Sequence, residues 1–151
     1  MSLKKLKNLN RSEGFTLVEL LIVIVVIGIL AAITLVAYNG VQQKAHTASA
    51  QSAASEVVKK ASIYATENNG SFPADYTYLA GTNTSGTKIT SSDPAFVSST
   101  DVTFVTAAPT AAPTSDNTIY YAQCGSGTGG SATYWNFSTA AAVTLKAGTG
   151  C

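Results

Sequence analysis

The chain has 151 residues, 46% of them apolar and only 11% charged, with a formal net charge of +1. That length holds about one domain plus a membrane segment, and the balance of charge offers no general electrostatic footing for nucleic acid. The charge is divided unevenly: MSLKKLKNLNRSEG (1–14) carries Lys4, Lys5, Lys7 and Arg11 against Glu13, while the remainder has five lysines against seven acids.

From Leu20 to Tyr38 no residue is charged, and such a run crosses about 30 Å of hydrocarbon as a helix. A basic leader before it holds the N-terminus in the cytoplasm. The polar remainder, rich in Ser, Thr, Ala and Gly, is then expected outside the membrane. A cleavable secretory signal also has a basic start, an apolar middle and small residues such as those of GILAAI. Three features argue against it: the apolar run exceeds the usual 7–15 residues, Glu19 stands in its first turn, and Gly14–Phe15 marks the polar-to-apolar boundary. A plain anchor explains the length but has no use for Glu19, because an acid within a membrane helix costs roughly 2.5–3.5 kcal/mol.

The stretch KLKNLNRSEGFTLVELLIVIVVIGILAAI resembles the N-terminus of type IV pilins and their pseudopilin relatives, the class III signal sequence. The resemblance implies that a prepilin peptidase removes residues 1–14 by cutting after Gly14, N-methylates the new terminal Phe15, and leaves the helix in place. It also implies that Glu19 pairs with the terminal amine of an adjacent subunit and sets the stagger of the filament. The residues suit this chemistry. Gly14 has no Cβ to obstruct entry into a peptidase cleft. The amine freed on Phe15 lies four residues before Glu19, on the same helix face. An unpaired carboxylate in a low-dielectric core is far less favourable than a paired one. Where many members of the family carry a proline shortly after AAI, this chain has Val36, so the kink associated with that proline is not expected.

Residues 15–38 are read as the transmembrane and filament-core helix and 39–69 as its amphipathic continuation, one helix running from about Phe15 to about Glu67. In the second half Ala50, Ala54, Val57, Ala61 and Tyr64 recur every three or four residues and form one apolar face, with Glu56 and Lys60 at i, i+4 on the other side. Gly28 and the pair Asn39–Gly40 are weak points, since glycine costs nearly 1 kcal/mol in a helix interior. Asn68, Asn69 and Gly70 form the stop. His46 is read as a solvated or filament-interface residue rather than a ligand or base.

Residues 70–151 are read as a globular head. After the exit NNGSFP, a turn-rich connection leads to four strand signals: DVTFV (101–105), NTIYYAQC (117–124), ATYWNFS (132–138) and AAVTLKA (141–147). Tyr120, Tyr121, Tyr134, Trp135 and Phe137 are expected to supply the sheet face that covers the helix. AAPTAAPT (107–114) is a tandem repeat of extended character; a surface link accounts for it, and its threonines also offer hydroxyls for O-linked sugar. GSGTGG (125–130) is followed by a strand rather than a helix, which favours a flexible hairpin connection over a phosphate loop. Cys124 and Cys151, both on the outer side, favour one disulfide.

No Ser-His-Asp set, metal-ligand spacing or nucleotide loop emerges. Asp75, Asp93, Asp101 and Asp116 are scattered through loops, where solvated turn acids are the simpler reading than a calcium site. The sequons at Asn69, Asn83 and Asn136 are expected by chance in so Ser- and Thr-rich a chain. The fold expectation is α+β: a long N-terminal helix, transmembrane then amphipathic, packed on a small antiparallel sheet as in pilins, with no catalytic, cofactor or metal site. The resemblance implies a structural subunit rather than an enzyme. Its partners would be further pilin subunits, the prepilin peptidase, the pilus assembly platform and motor, and the membrane, with no direct nucleic-acid partner. It would be stored in the cytoplasmic membrane with its head outside and then assembled into an extracellular filament serving adhesion, motility or DNA uptake. The alternatives are a pseudopilin of a type II secretion or competence system and, from another class, a monomeric membrane-anchored binding protein.

Overall fold

The computed structural model describes residues 14–84 and 89–151; the basic leader up to Glu13 lies outside the described residues. The chain divides into two units, 1–39 and 40–151.

In the first unit the described residues are three non-helical positions followed by the start of helix α1 (Leu17–Glu67). Its side chains from Leu20 to Val36 are apolar, apart from Thr34, and the large ones are exposed on every side. A helix that is greasy all round has no polar face to offer water, and α1 is long and apolar enough to cross a membrane. The helix runs unbroken through Gly28 and through Asn39–Gly40, and a Cβ added at either glycine would meet nothing within 4 Å. Those glycines are therefore not needed for packing within the single chain.

The second unit holds the remainder of α1, a one-turn helix α2 (Tyr76–Leu79), and strands β1 (Thr103–Val105), β2 (Thr118–Cys124), β3 (Gly129–Asn136) and β4 (Ala141–Gly148). From α1 the buried side chains are Ala50, Ala54, Val57, Ala61, Tyr64 and Ala65, the face read from the spacing with one residue added. Four alanines on that face keep it thin, so the bulkier Ile119, Tyr121 and Tyr134 of the sheet fill the space above them. Phe72, Leu79, Ile89, Ala95, Val97 and Val102 complete the same core from the connecting segments. Enlarging the thin face should cost stability: Ala54→Leu is expected to destabilise the head by about 1–3 kcal/mol, measured by urea unfolding of the detergent-solubilised protein.

The sheet order is β1-β2-β3-β4. β2, β3 and β4 are antiparallel neighbours, whereas β1 pairs parallel to β2, with Phe104 opposite Ile119. The sheet is thus mixed, and the reason lies in the connection. Parallel neighbours need a crossover of about a dozen residues, and the proline repeat between Val105 and Thr118 supplies one.

Register divides the aromatic residues expected on one face. Tyr121 stands opposite Ala132 and Tyr134 opposite Val143, all facing the core. Tyr120 pairs with Thr133 and Trp135 with Ala142, and by the two-residue period of a strand these point the other way. Trp135 is only 8% exposed, yet it lies outside the helix-facing core.

The glycine-rich hairpin between β2 and β3 is a close-packed piece rather than a slack one. Gly129 and Gly130 already belong to β3, and only a 3-10 turn at Gly125–Gly127 and Thr128 separate the strands. A Cβ on Gly130 would fall 2.6 Å from the Tyr121 hydroxyl and 2.8 Å from the Phe72 ring. Residues 148–150 fold back on the same turn, where Thr149 N–H donates to Thr128 O at 3.2 Å. Cys124 and Cys151 are joined by a disulfide, with Cα atoms 5.3 Å apart.

Candidate functional site

Gly14 and Phe15 precede the first helical turn and are fully open, the Phe15 ring being 85% exposed. The peptide bond between them lies in non-helical chain, the form a peptidase cleft can engage without unwinding a helix. Thr16 then caps the helix, which begins at Leu17. The Thr16 N–H donates to Glu19 Oε2 at 2.9 Å, its hydroxyl donates to the same oxygen at 2.8 Å, and Glu19 N–H donates back to Thr16 Oγ1 at 3.2 Å. This is a reciprocal capping box, which satisfies donors that a helix start otherwise leaves unpaired. The carboxylate also sits at the positive end of the helix dipole.

Glu19 therefore has a partner within its own turn, which the sequence reading missed by looking only to the Phe15 amine. The signal was present: TLVE is the S/T-x-x-E pattern preceding an apolar run. Chemically, Oε2 is held by Thr16, while the second carboxylate oxygen has no partner among the described residues. It is free to meet a cation.

A second polar cluster lies where α1 enters the head. His46 Nδ1 stands 2.6 Å from Asp116 Oδ2, and its ring packs on Phe137 with centroids 5.4 Å apart. Next to it Thr47 Oγ1 accepts from Ser138 N–H at 3.2 Å and donates to Asn136 Oδ1 at 3.3 Å. Asn136 in turn caps the β3–β4 turn through the Ser138 and Thr139 amides. His46 thus fastens helix to loop while its side chain stays 46% exposed, and a half-exposed pair of this kind contributes at most about 1 kcal/mol.

Two of the other loop acids have local tasks. Asp75 caps α2 by accepting from Thr77 N–H at 2.8 Å, and Asp93 accepts from Ala95 N–H at 2.8 Å. Among the described residues no three His, Cys, Asp or Glu side chains gather as a metal site.

Tyr121 lies buried with its hydroxyl donating to Pro73 O at 3.1 Å. Burial first, then the neighbouring Tyr64 and Asp75, push its pKa well above the ordinary value. Burial, then Tyr78, raises that of Tyr64. Both groups keep their protons in the folded head while the unfolded chain loses them near pH 10. Their stabilisation is complete below about pH 10 and is lost as the pH rises from there toward the folded values. Head stability should fall by at most about 1.4 kcal/mol per pH unit per tyrosine above that point. Urea titrations from pH 8 to 11 would show the slope, and Tyr121→Phe should flatten it.

Comparison with known proteins places these features in one group. Residues 9–35 match the prokaryotic N-terminal methylation motif. The chain is 38% identical over 85 residues to a type IV narrow pilus major component, PilA5, of Thermus thermophilus, covering 55% of this chain and 73% of that protein. It is 45% identical over 67 residues to a fimbrial protein of Moraxella nonliquefaciens, covering 44% of this chain and 42% of that one. The chain thus spans less than half the length of the Moraxella protein and nearly three-quarters of the Thermus protein. No solved structure matches. With a methylation motif over the helix start, an apolar helix and a disulfide-closed head on a four-stranded sheet, this chain belongs to the type IV pilin family.

Proposed function

We propose that the chain is the precursor of a type IV pilus subunit. A prepilin peptidase cuts between Gly14 and Phe15 and methylates the Phe15 amine, leaving residues 15–38 as the membrane-spanning segment and filament core. The head stays outside the membrane. An assembly platform and motor then polymerise it with further pilin subunits into an extracellular fibre.

The observation that carries the reading is the state of Glu19. One oxygen is held by Thr16, and the other has no partner among the described residues, in a segment with no other charged side chain up to Tyr38. Thr16 gives the carboxylate enough hydrogen bonding to be stored in lipid, where an isolated acid costs roughly 2.5–3.5 kcal/mol. The free oxygen remains to accept the Phe15 amine of a neighbouring subunit, a pairing that fixes register as the helix moves from lipid to protein. The two relatives, a narrow-pilus major component and a fimbrial protein, support a fibre-forming subunit over a secretion pseudopilin.

The test is electron microscopy of sheared cell-surface material with mass spectrometry of the N-terminus. Long fibres containing a chain that starts at methylated Phe15 are expected. A chain retaining Met1–Gly14, or a processed chain absent from any fibre, would overturn the reading.

A further inference from the structure

The crossover between β1 and β2 reads TAAPTAAPTS from Thr106 to Ser115, and its four-residue repeat is kept in three dimensions. The backbone bends at 106–107, 110–111 and 114–115; Pro109 and Pro113 are half-buried, and Thr106, Thr110 and Thr114 are exposed. Prolines turn inward and threonines outward. A crossover needs length but not this alternation, which any polar residue at the outward positions would serve equally well. Several threonine hydroxyls elsewhere in the head are occupied: Thr118 donates to Ser115 O and Thr128 to Gly125 O, both at 2.8 Å, and Thr133 meets Thr144 at 2.8 Å. Among the described residues the hydroxyls of Thr110 and Thr114 have no such partner.

We propose that Thr110 and Thr114 are acceptor sites for O-linked sugar. Each follows a proline, whose fixed φ holds the chain extended and keeps the hydroxyl clear of helix or sheet. The flanking residues are mostly alanine, so a bulky substituent meets no large side chain within the repeat. Composition of this kind, Thr and Pro without charge, is that of O-glycosylated segments; no charged residue stands between Asp101 and Asp116.

The same feature argues against phosphate as the modification. A phosphothreonine brings close to two negative charges and gains from arginine or lysine partners, whereas this loop supplies none and is bounded at both ends by aspartates. A neutral glycosyl group needs no counter-charge, and it would solvate an otherwise apolar stretch of surface. The donor is a glycosyl diphosphate. The threonine Oγ1 attacks the anomeric carbon, the new carbon–oxygen bond forms as the bond to the diphosphate breaks, and the hydroxyl proton passes to a base of the transferase. Nothing is oxidised or reduced.

The experiment is peptide mapping of the protein purified from the cells that naturally make it, with fragmentation that keeps side-chain substituents in place. A mass increment of one or more sugar residues is expected on Thr110 and Thr114. Thr110→Val and Thr114→Val should each remove one increment, the double variant both, and Thr110→Ser should retain its own. Melting of the head should be unchanged in every variant, which separates loss of the acceptor from loss of the fold. Unmodified threonines, an increment that survives the double substitution, or a phosphate increment would overturn the proposal. The N-terminal peptide of the same digest reports methylated Phe15 separately, so the two readings stand or fall independently.

Discussion

Replacing Glu19 with alanine should leave the protein in the membrane and abolish filaments. The two halves of that result have separate physical causes. Removing an acid from the apolar segment relieves a cost of roughly 2.5–3.5 kcal/mol, so insertion is not impaired and the membrane fraction of the chain should hold or rise. Assembly loses the only acidic side chain in residues 15–55, and with it the charge that, in the function proposed above, pairs with a neighbour's Phe15 amine to set the stagger. Glu19→Gln sharpens the test. Its amide oxygen can still accept from Thr16, preserving the helix start, but carries no charge. It should therefore insert, cap and fail to assemble. Thr16→Ala removes the capping partner and leaves the charge, a loss of about 0.5–2 kcal/mol at the helix start. It should reduce fibre yield well short of abolishing it, and Thr16→Ser should restore the yield. Quantifying sheared fibres against membrane-bound subunit orders the four variants. Wild-type fibre yield from Glu19→Ala would remove the assembly role altogether.

What could be read from the sequence follows the range over which each feature is decided. The buried face of α1 at Ala50, Ala54, Val57, Ala61 and Tyr64 is a local periodicity and was legible apart from Ala65. The helix stop was legible too, where Asn69 and Gly70 adopt positive φ and Gly70 N–H reaches back to Ala65 O at 2.7 Å. The capping box at Thr16 and Glu19 was equally local, but the apolar run drew attention to the charge instead of its neighbour. Strand faces were less legible, because IYY and TYWNF place aromatic residues at consecutive positions, and only register shows that Tyr121 and Tyr134 face the core while Tyr120 and Trp135 do not. The parallel pairing of β1 depends on where the crossover lands. The tight packing of Gly130 depends on Phe72, nearly sixty residues away in sequence. Neither is written in a local pattern.

Loop closure sets the scale of the disulfide prediction. Cys124→Ser should lower head stability by about 3.5 kcal/mol, the chain-entropy value for closing a loop between cysteines 27 residues apart. For a head of this size the corresponding fall in melting temperature is roughly 15–25 °C. The native contacts say where the loss begins. Residues 148–150 pack on the hairpin turn, the Lys146 ammonium donates to Cys151 O at 3.0 Å, and a Cβ on Gly148 would fall 2.8 Å from the Phe72 ring. Without the crosslink this layer is held by a few surface hydrogen bonds, so it should open before the helix-facing core does. Trypsin is then expected to cut after Lys146 in Cys124→Ser and in the reduced wild type, at temperatures where the oxidised wild type resists. Cys151→Ser should behave as Cys124→Ser does, and the double variant should be no worse than either, because the second substitution removes nothing further. If oxidised and reduced protein melt together and Lys146 stays protected in both, the head is held by its core alone, and the crosslink contributes nothing measurable to its stability.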